Sequence, residues 1–86
     1  MHYVYILYSE NHDLFYIGET ATPAQRLAQH NSGKVISTKK YMPWTMVWLG
    51  EKANRTEALR LEKKLKNLHS PIRIIAFIKK YGSWNY

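Results

Sequence analysis

The chain has 86 residues, 45% of them hydrophobic, which is enough for a single compact domain spanning residues 1–86 and too little for two. It contains no cysteine, which excludes disulfides, thiolate zinc sites and cysteine nucleophiles. It also has neither a long apolar run nor a signal-peptide pattern, so we expect a cytoplasmic protein without a membrane partner. The 13 lysines and arginines outnumber the 6 acidic residues, giving a net charge of +7, which indicates a polyanionic partner such as nucleic acid.

The chain opens with two segments of aromatic and β-branched residues, 3–8 and 14–19, which predict two strands. The short polar stretch between them favours an antiparallel hairpin. Opposed residues of a hairpin share a face of the sheet. If the residue numbers of each opposed pair add up to an odd number, Tyr5 and Tyr16 lie on the same face; an even sum would separate them.

A first helix is predicted to begin at Pro23, after the capping residue Thr22, and to end at Gly33. Arg26 and His30 are four residues apart and therefore share one side of this helix, where they can act as a pair. The small apolar residues are expected to form a separate face that packs on the core: Ala24, Leu27 and Ala28.

The second half of the chain predicts a loop over residues 34–41, a third strand over 44–49, and helices over 54–68 and from Pro71 towards Gly82. Glu62 lies on the flank of the apolar stripe of the 54–68 helix. That stripe consists of Ala58, Leu61, Leu65 and Leu68. On the last helix the expected apolar face consists of Ile72, Ile75 and Ala76. The order β-β-α-β-α-α predicts an α+β fold in which helices cover a small antiparallel sheet.

Five of these elements together resemble the GIY-YIG nuclease superfamily. Residues 16–18, Tyr-Ile-Gly, match the second half of its paired signature literally, and residues 3–5, Tyr-Val-Tyr, stand for the first half. Arg26 followed by His30 is similar to the family helix that carries an arginine and then a histidine or tyrosine. The segment around Glu62 resembles the family's metal-binding glutamate segment. The likeness covers residues 3 to about 80 and is strongest to small stand-alone bacterial members and the amino-terminal nuclease module of the excision-repair incision subunit.

The resemblance implies a three-stranded antiparallel sheet with about three helices, and a divalent-metal-dependent endonuclease that hydrolyses phosphodiester bonds in DNA. Such hydrolysis needs an activated water, charge compensation at the phosphate and help for the leaving oxygen. Tyr5 is the candidate base or relay, provided that its pKa falls from about 10 towards neutrality. Arg26 would bind the phosphate, and Glu62 would be the protein carboxylate on Mg²⁺ or Mn²⁺. Tyr16 and His30 complete the groove, and either tyrosine is a candidate for accepting the proton.

Basic residues concentrate in residues 34–86, which carry twelve lysines and arginines against three glutamates. Lys39, Lys40, Lys63 and Lys66 are the predicted nucleic-acid contacts. Branched, nicked or damaged DNA, as in DNA repair, is the expected partner, RNA remains an alternative, and a partner protein could supply specificity. Two other functions stay open, a catalytically weak nucleic-acid-binding module and a basic protein-interaction scaffold.

Each site residue also has a purely structural interpretation. Strand tyrosines mostly serve packing, and Glu62 could simply pair with Lys66 or Arg55. The chain also differs from many family members in having Glu19 directly after the Tyr-Ile-Gly glycine, and in lacking an asparagine twelve to fifteen residues beyond the glutamate.

Overall fold

The computed structural model describes residues 1–82. Its strands are β1 (His2–Ser9), β2 (Leu14–Thr20) and β3 (Thr45–Lys52), and its helices are α1 (Pro23–Asn31), α2 (Arg55–Lys66) and α3 (Pro71–Tyr81), with a short 3₁₀ turn at Lys39–Tyr41. The predicted α+β class and the order β-β-α-β-α-α are therefore confirmed. The predicted domain range runs to residue 86, and its last four residues lie outside the described part.

The three strands form one antiparallel sheet in the order β2-β1-β3. Tyr5 lies opposite Gly18 and Leu7 lies opposite Tyr16, so the numbers of each pair add up to an odd sum. Tyr5 and Tyr16 consequently project from the same face, one of the two arrangements allowed by the sequence. The central position of β1 explains its unbroken apolar run, since its residues are covered on both faces.

The sheet carries a core on each face. Helices α2 and α3 cover one face, where the buried residues are Val4, Ile6, Ile17, Trp48, Ala58, Leu65 and Ile74. Helix α1 and the segment before β3 cover the other, where the buried residues are Tyr5, Leu7, Trp44 and Met46, with Tyr16 and Leu27 packed against them. Trp48 and Trp44 are both buried, one in each core.

The predicted stripe of α2 is confirmed, since Ala58 and Leu65 are buried and Leu61 and Leu68 pack against the same core. The predicted face of α3 is wrong. Ile72 is 79% exposed, while Ile74, Phe77 and Ile78 face the sheet. The apolar run of this helix fits more than one helical face, and the Phe77 ring, which packs edge-on against Trp48 at 5.0 Å, occupies the inner one.

The predicted core face of α1 is also wrong in part. Ala24 and Ala28 are exposed, whereas His30 is fully buried and Leu27 is half-buried. The sheet presents a phenol hydroxyl to this helix, and a histidine that hydrogen-bonds it satisfies that polar group where an alanine would not. None of the helices within residues 1–82 is long and apolar enough to cross a membrane.

Candidate active site

The centre of the site is a buried hydrogen bond between β1 and α1. Tyr5 is 1% exposed and His30 is fully buried, and the Tyr5 hydroxyl lies 3.0 Å from His30 Nε2. His30 Nδ1 lies 2.7 Å from the hydroxyl oxygen of Thr38, which is also buried. Side chains from β1, from α1 and from the loop after α1 thus form a continuous hydrogen-bonded chain that is shielded from solvent.

The protonation state of His30 determines which group donates in each hydrogen bond of this chain. Burial, together with the nearby charge of Arg26, lowers the pKa of His30 to about 4, so the ring is neutral at pH 7. The Thr38 hydroxyl donates to the Val35 carbonyl at 3.4 Å and is therefore free to accept from His30 Nδ1–H. Nε2 then carries the lone pair, and Tyr5 donates its proton to it.

The Tyr5 phenol is held in its protonated form. Burial raises its pKa to about 12, with further upward contributions from Tyr16 and Glu62, while Arg26 lowers it. The expectation that the pKa of Tyr5 falls towards neutrality is therefore wrong for the protein alone. Arg26 acts in the expected direction, but the loss of solvent around the buried phenol outweighs it.

Tyr16 is the more accessible of the two phenols. Its ring centroid lies 6.3 Å from that of Tyr5 and 5.0 Å from that of His30, so it packs directly on the buried pair. It is only partly buried, and its hydroxyl makes no hydrogen bond to any residue within 1–82. This hydroxyl is available to a bound molecule, whereas that of Tyr5 is engaged with His30.

Arg26 and Glu62 lie on helices that cover opposite faces of the sheet. Arg26, on α1, is half-buried, and its Nη1 donates to Gln29 Oε1 at 3.0 Å. Glu62, on the flank of α2, has a side chain 18% exposed and lies 3.5 Å from Lys66 Nζ. Both charges shift the pKa of the Tyr5 phenol, one downwards and one upwards. The structure thus brings Tyr5, Tyr16 and His30 into contact, with Arg26 beside the Tyr5 hydroxyl, whereas Glu62 contacts none of these four and is linked to Tyr5 only by the effect of its charge.

The residues present suit a metal held mainly by water and substrate. Residues 1–82 contain no group of three or more histidine, cysteine, aspartate or glutamate side chains placed to enclose an ion. Glu62 nevertheless offers a partly exposed carboxylate whose charge acts on the Tyr5 phenol. Magnesium commonly takes one or two protein carboxylates and completes its shell with waters and phosphate oxygens. Glu62 fits that pattern as a ligand for Mg²⁺ or Mn²⁺.

The predicted nucleic-acid contacts are all at the surface. Lys39 and Lys40 lie in the exposed 3₁₀ turn, and Lys63 and Lys66 are exposed on α2. Lys66 is the one of these four that pairs with a site residue, Glu62. Their contact with nucleic acid stays a prediction.

Glu19, the acidic residue after the Tyr-Ile-Gly glycine, is engaged by two neighbours. Its carboxylate is hydrogen-bonded to Nε2 of His2 on the adjacent strand, and it pairs with Arg55 at the start of α2, whose Nη2 lies 3.7 Å away. Only 16% of the Glu19 side chain is exposed. The negative charge next to the site is therefore balanced from within the fold.

Comparison with known proteins decides the family. The model of the GIY-YIG catalytic domain matches residues 1–83. The chain belongs to the GIY-YIG family. This membership agrees with the fold and supports the nuclease class that the signature implies.

Relatives of two kinds share the GIY-YIG domain. The structure-specific endonuclease subunit SLX1 of Podospora anserina is 41% identical over 78 residues, which cover 83% of this chain and 22% of that protein. A UPF0213 protein of Staphylococcus haemolyticus is 36% identical over 66 residues, which cover 76% of this chain and 79% of that protein. A UPF0213 protein of Enterococcus faecalis is 36% identical over 70 residues, which cover 78% of this chain and 78% of that protein. The chain thus spans about a fifth of the SLX1 relative and most of the UPF0213 relatives. No solved structure matches it.

The sequence did not reveal one member of this GIY-YIG site. Thr38 lies in a polar, basic segment without periodicity, where a threonine gives no signal of burial. The local chain explains its position, because its N–H donates to Val35 O and its carbonyl accepts from the Trp44 indole, so the loop is fixed on both sides. A loop threonine becomes recognisable as a site residue only when His30 is seen beside it.

Proposed function

We propose that this GIY-YIG domain is a divalent-metal-dependent endonuclease that hydrolyses phosphodiester bonds in DNA. The observation that carries the proposal is the buried hydrogen-bonded chain of Tyr5, His30 and Thr38, on which the ring of Tyr16 packs and beside which Arg26 lowers the pKa of Tyr5. Hydroxyls that can move a proton, beside a cation that can bind phosphate, are groups that phosphodiester hydrolysis requires. A basic surface domain without catalysis has no need for this buried polar chain.

Arg26 is the proposed phosphate ligand. Its planar guanidinium can donate to two phosphate oxygens at once, which fixes the phosphate as well as compensating its charge. The hydrogen bond to Gln29 holds the side chain against α1, so little rotational freedom remains to be lost on binding. The phosphate would therefore lie beside both tyrosines.

The two tyrosines take different parts in this proposal. Tyr16, with its free hydroxyl, orients the attacking water against the phosphate. Tyr5 accepts a proton from that water as its own proton passes to His30 Nε2, 3.0 Å away. Thr38 keeps the other ring nitrogen protonated, so that Nε2 is the nitrogen that can receive the proton.

A concerted relay through His30 avoids a separate Tyr5 phenolate, whose formation at pH 7 would cost about 7 kcal/mol for a phenol of pKa about 12, at 1.36 kcal/mol per pH unit. Tyr5 is neutral before and after such a transfer. Holding the proton on an imidazole of pKa about 4 costs about 4 kcal/mol at pH 7 relative to releasing it to water, so His30 passes it on to solvent.

Glu62 would hold the Mg²⁺ or Mn²⁺ ion, which when bound compensates charge on the phosphate and on the leaving oxygen. Part of the Glu62 side chain is exposed, which leaves the carboxylate accessible to a hydrated ion. Its partner Lys66 is 53% exposed and lies 3.5 Å away, so the contact is a weak surface pair that a metal could replace.

We infer that the substrate class is DNA of altered structure, such as branched or nicked DNA, as in DNA repair. The support is the name of the SLX1 relatives, structure-specific endonuclease subunits, which also suggests a protein partner for this domain. Lys39, Lys40, Lys63 and Lys66 would contact phosphates without reading sequence. A cytoplasmic location is part of the same proposal.

The test is cleavage of supercoiled, nicked and branched DNA with Mg²⁺, with Mn²⁺ and with a chelator. We expect metal-dependent cleavage by the wild type, and its loss in Glu62→Gln and in Tyr16→Phe. Glu57→Gln is the matched control, because Glu57 is an exposed glutamate on the same helix and pairs with Arg60 at 3.0 Å. Equal activity of the Glu62 and Glu57 variants would contradict the metal site.

The other two functions predict different results in the same experiment. Salt-dependent DNA binding without cleavage in any metal would favour a nucleic-acid-binding module. An affinity that does not change with salt, where duplex DNA gives a slope of about −0.9 per phosphate contact, would favour a protein-interaction scaffold.

A further inference from the structure

A polar groove adjoins the active site at the start of α1 and α2. It has a volume of about 480 Å³ and is lined by His2, Glu19, Thr22, Gln25, Arg26 and Arg55, among others. Arg26 lies in this groove and also acts on the Tyr5 phenol, so the groove begins at the active site. A strand whose phosphate is held by Arg26 would continue into it.

The charge of the groove suits an anion in spite of Glu19. Of its described lining residues, two carry a guanidinium and one carries a carboxylate. The Glu19 carboxylate is already engaged by His2 and Arg55, and only 16% of its side chain is exposed, whereas 69% of the Arg55 side chain is exposed. The Arg55 guanidinium is therefore exposed to solvent in the groove, whereas the Glu19 carboxylate is largely covered.

We propose that Arg55 is a second phosphate-binding residue, held by Glu19 so that it binds the backbone phosphate next to the one that Arg26 holds. This rests on the proposed function, because it takes a DNA strand as the occupant of the groove. The contact between Arg55 Nη2 and Glu19 Oε1, at 3.7 Å, is long enough to leave the guanidinium donors for phosphate oxygens. Glu19 thereby positions a cation on the phosphate path.

The experiment measures binding of the whole chain to a DNA duplex in a chelator, at several salt concentrations, so that no cleavage interferes. Arg55→Gln should reduce the salt slope by about 0.9, the value for one lost phosphate contact, and Arg55→Lys should restore most of it. Arg60→Gln is the matched control, since Arg60 is on the same helix, is 74% exposed and pairs with Glu57. Its slope should equal that of the wild type.

A second pair of variants separates phosphate binding from simple neutralisation of Glu19. If Arg55 contacts phosphate and Glu19 positions it, Arg55→Gln still lowers the slope in the Glu19→Gln background, but by less than in the wild type. If Arg55 only neutralises Glu19, the effect disappears in the Glu19→Gln background, which would overturn the proposal. An Arg55→Gln slope equal to that of Arg60→Gln would overturn it as well.

The failure of this proposal differs from the failure of the proposed function. If the wild type binds duplex DNA and Arg55→Gln leaves the slope unchanged, only the role of Arg55 is wrong. If the wild type binds no DNA at any salt concentration, both proposals are overturned together.

Discussion

The phenol of Tyr5 lies directly over Gly18, its partner on the neighbouring strand. A Cβ atom on Gly18 would overlap the hydroxyl oxygen and the adjoining ring carbon of Tyr5. Because the glycine of the Tyr-Ile-Gly signature has no side chain, it leaves room for the ring of Tyr5. Without that room the Tyr5 hydroxyl could not reach His30, and the buried hydrogen bond between β1 and α1 would be lost.

Gly18→Ala should destabilise the protein because the new methyl group forces the buried Tyr5 ring to move. Overpacking of this kind costs about 1–3 kcal/mol, to be measured as the free energy of unfolding in urea. The same substitution in a Tyr5→Leu background should cost less, since leucine has no atoms at the distal end of the ring. Equal costs in both backgrounds would show that the Tyr5 ring is not what Gly18 accommodates.

Tyr5→Phe should leave the lone pair of His30 Nε2 buried without a donor, at a cost of about 1–3 kcal/mol of unfolding free energy. It should also make the unfolding free energy less dependent on pH in the alkaline range. Since the folded protein raises the pKa of Tyr5 from 10.0 to about 12, the phenol contributes stability fully below pH 10 and loses it as the pH rises through 12. Urea unfolding between pH 8 and 11 compares the two proteins, and parallel curves would refute the raised pKa.

Thr38→Val keeps the shape of the side chain and removes the hydroxyl that accepts from His30 Nδ1–H. A buried donor then has no partner, so we expect a loss of about 1–3 kcal/mol in unfolding free energy. Because the tautomer of His30 is no longer fixed, DNA cleavage should also slow. Thr56→Val, an exposed position on α2, is the control and should change neither quantity. A Thr38→Val protein as stable as that control would argue against the network.

The stability of the protein should fall in acid because of His30. Its pKa is lowered from 6.5 to about 4 in the folded state, so the unfolded chain binds the proton more readily between these values. The neutral ring contributes stability fully above pH 6.5, and up to about 3 kcal/mol is lost as the pH falls towards 4.

Unfolding measured between pH 4 and 7 tests this, with His30→Gln as the variant that removes the effect. The variant can be less stable overall, but its unfolding free energy should depend less on pH than that of the wild type. His12→Gln, at an exposed position, should keep the wild-type dependence. If His30→Gln and the wild type show the same slope against pH, His30 is not the titrating group.

Local patterns predicted most of the fold correctly. The alternation at helical spacing in α2 gave its buried stripe, and Pro23 and Gly33 bracketed α1. The patterns failed where an apolar residue is exposed or a polar residue is buried. In α1 the alanines are apolar and exposed while His30 is polar and buried, because the partner of that face is a hydroxyl and not a hydrocarbon.

The site was predictable as a set of residues and not as an arrangement. Tyr5, Tyr16, Arg26, His30 and Glu62 were predicted from the resemblance of their order and spacing to the GIY-YIG motifs. The sequence left it open which tyrosine meets a substrate, and it gave no sign of Thr38. Both depend on the depth of each side chain and on hydrogen bonds to residues distant in the chain.

The sequence by itself determined the order of strands and helices, the basic charge and the signature of the family, because these follow from neighbours along the chain. Only the tertiary structure decided that Tyr5 is buried and protonated while the Tyr16 hydroxyl is free, and that Arg55 balances Glu19. The physical reason is that a pKa and a hydrogen bond depend on removal of water and on groups brought close by folding. No stretch of neighbouring residues encodes either of them.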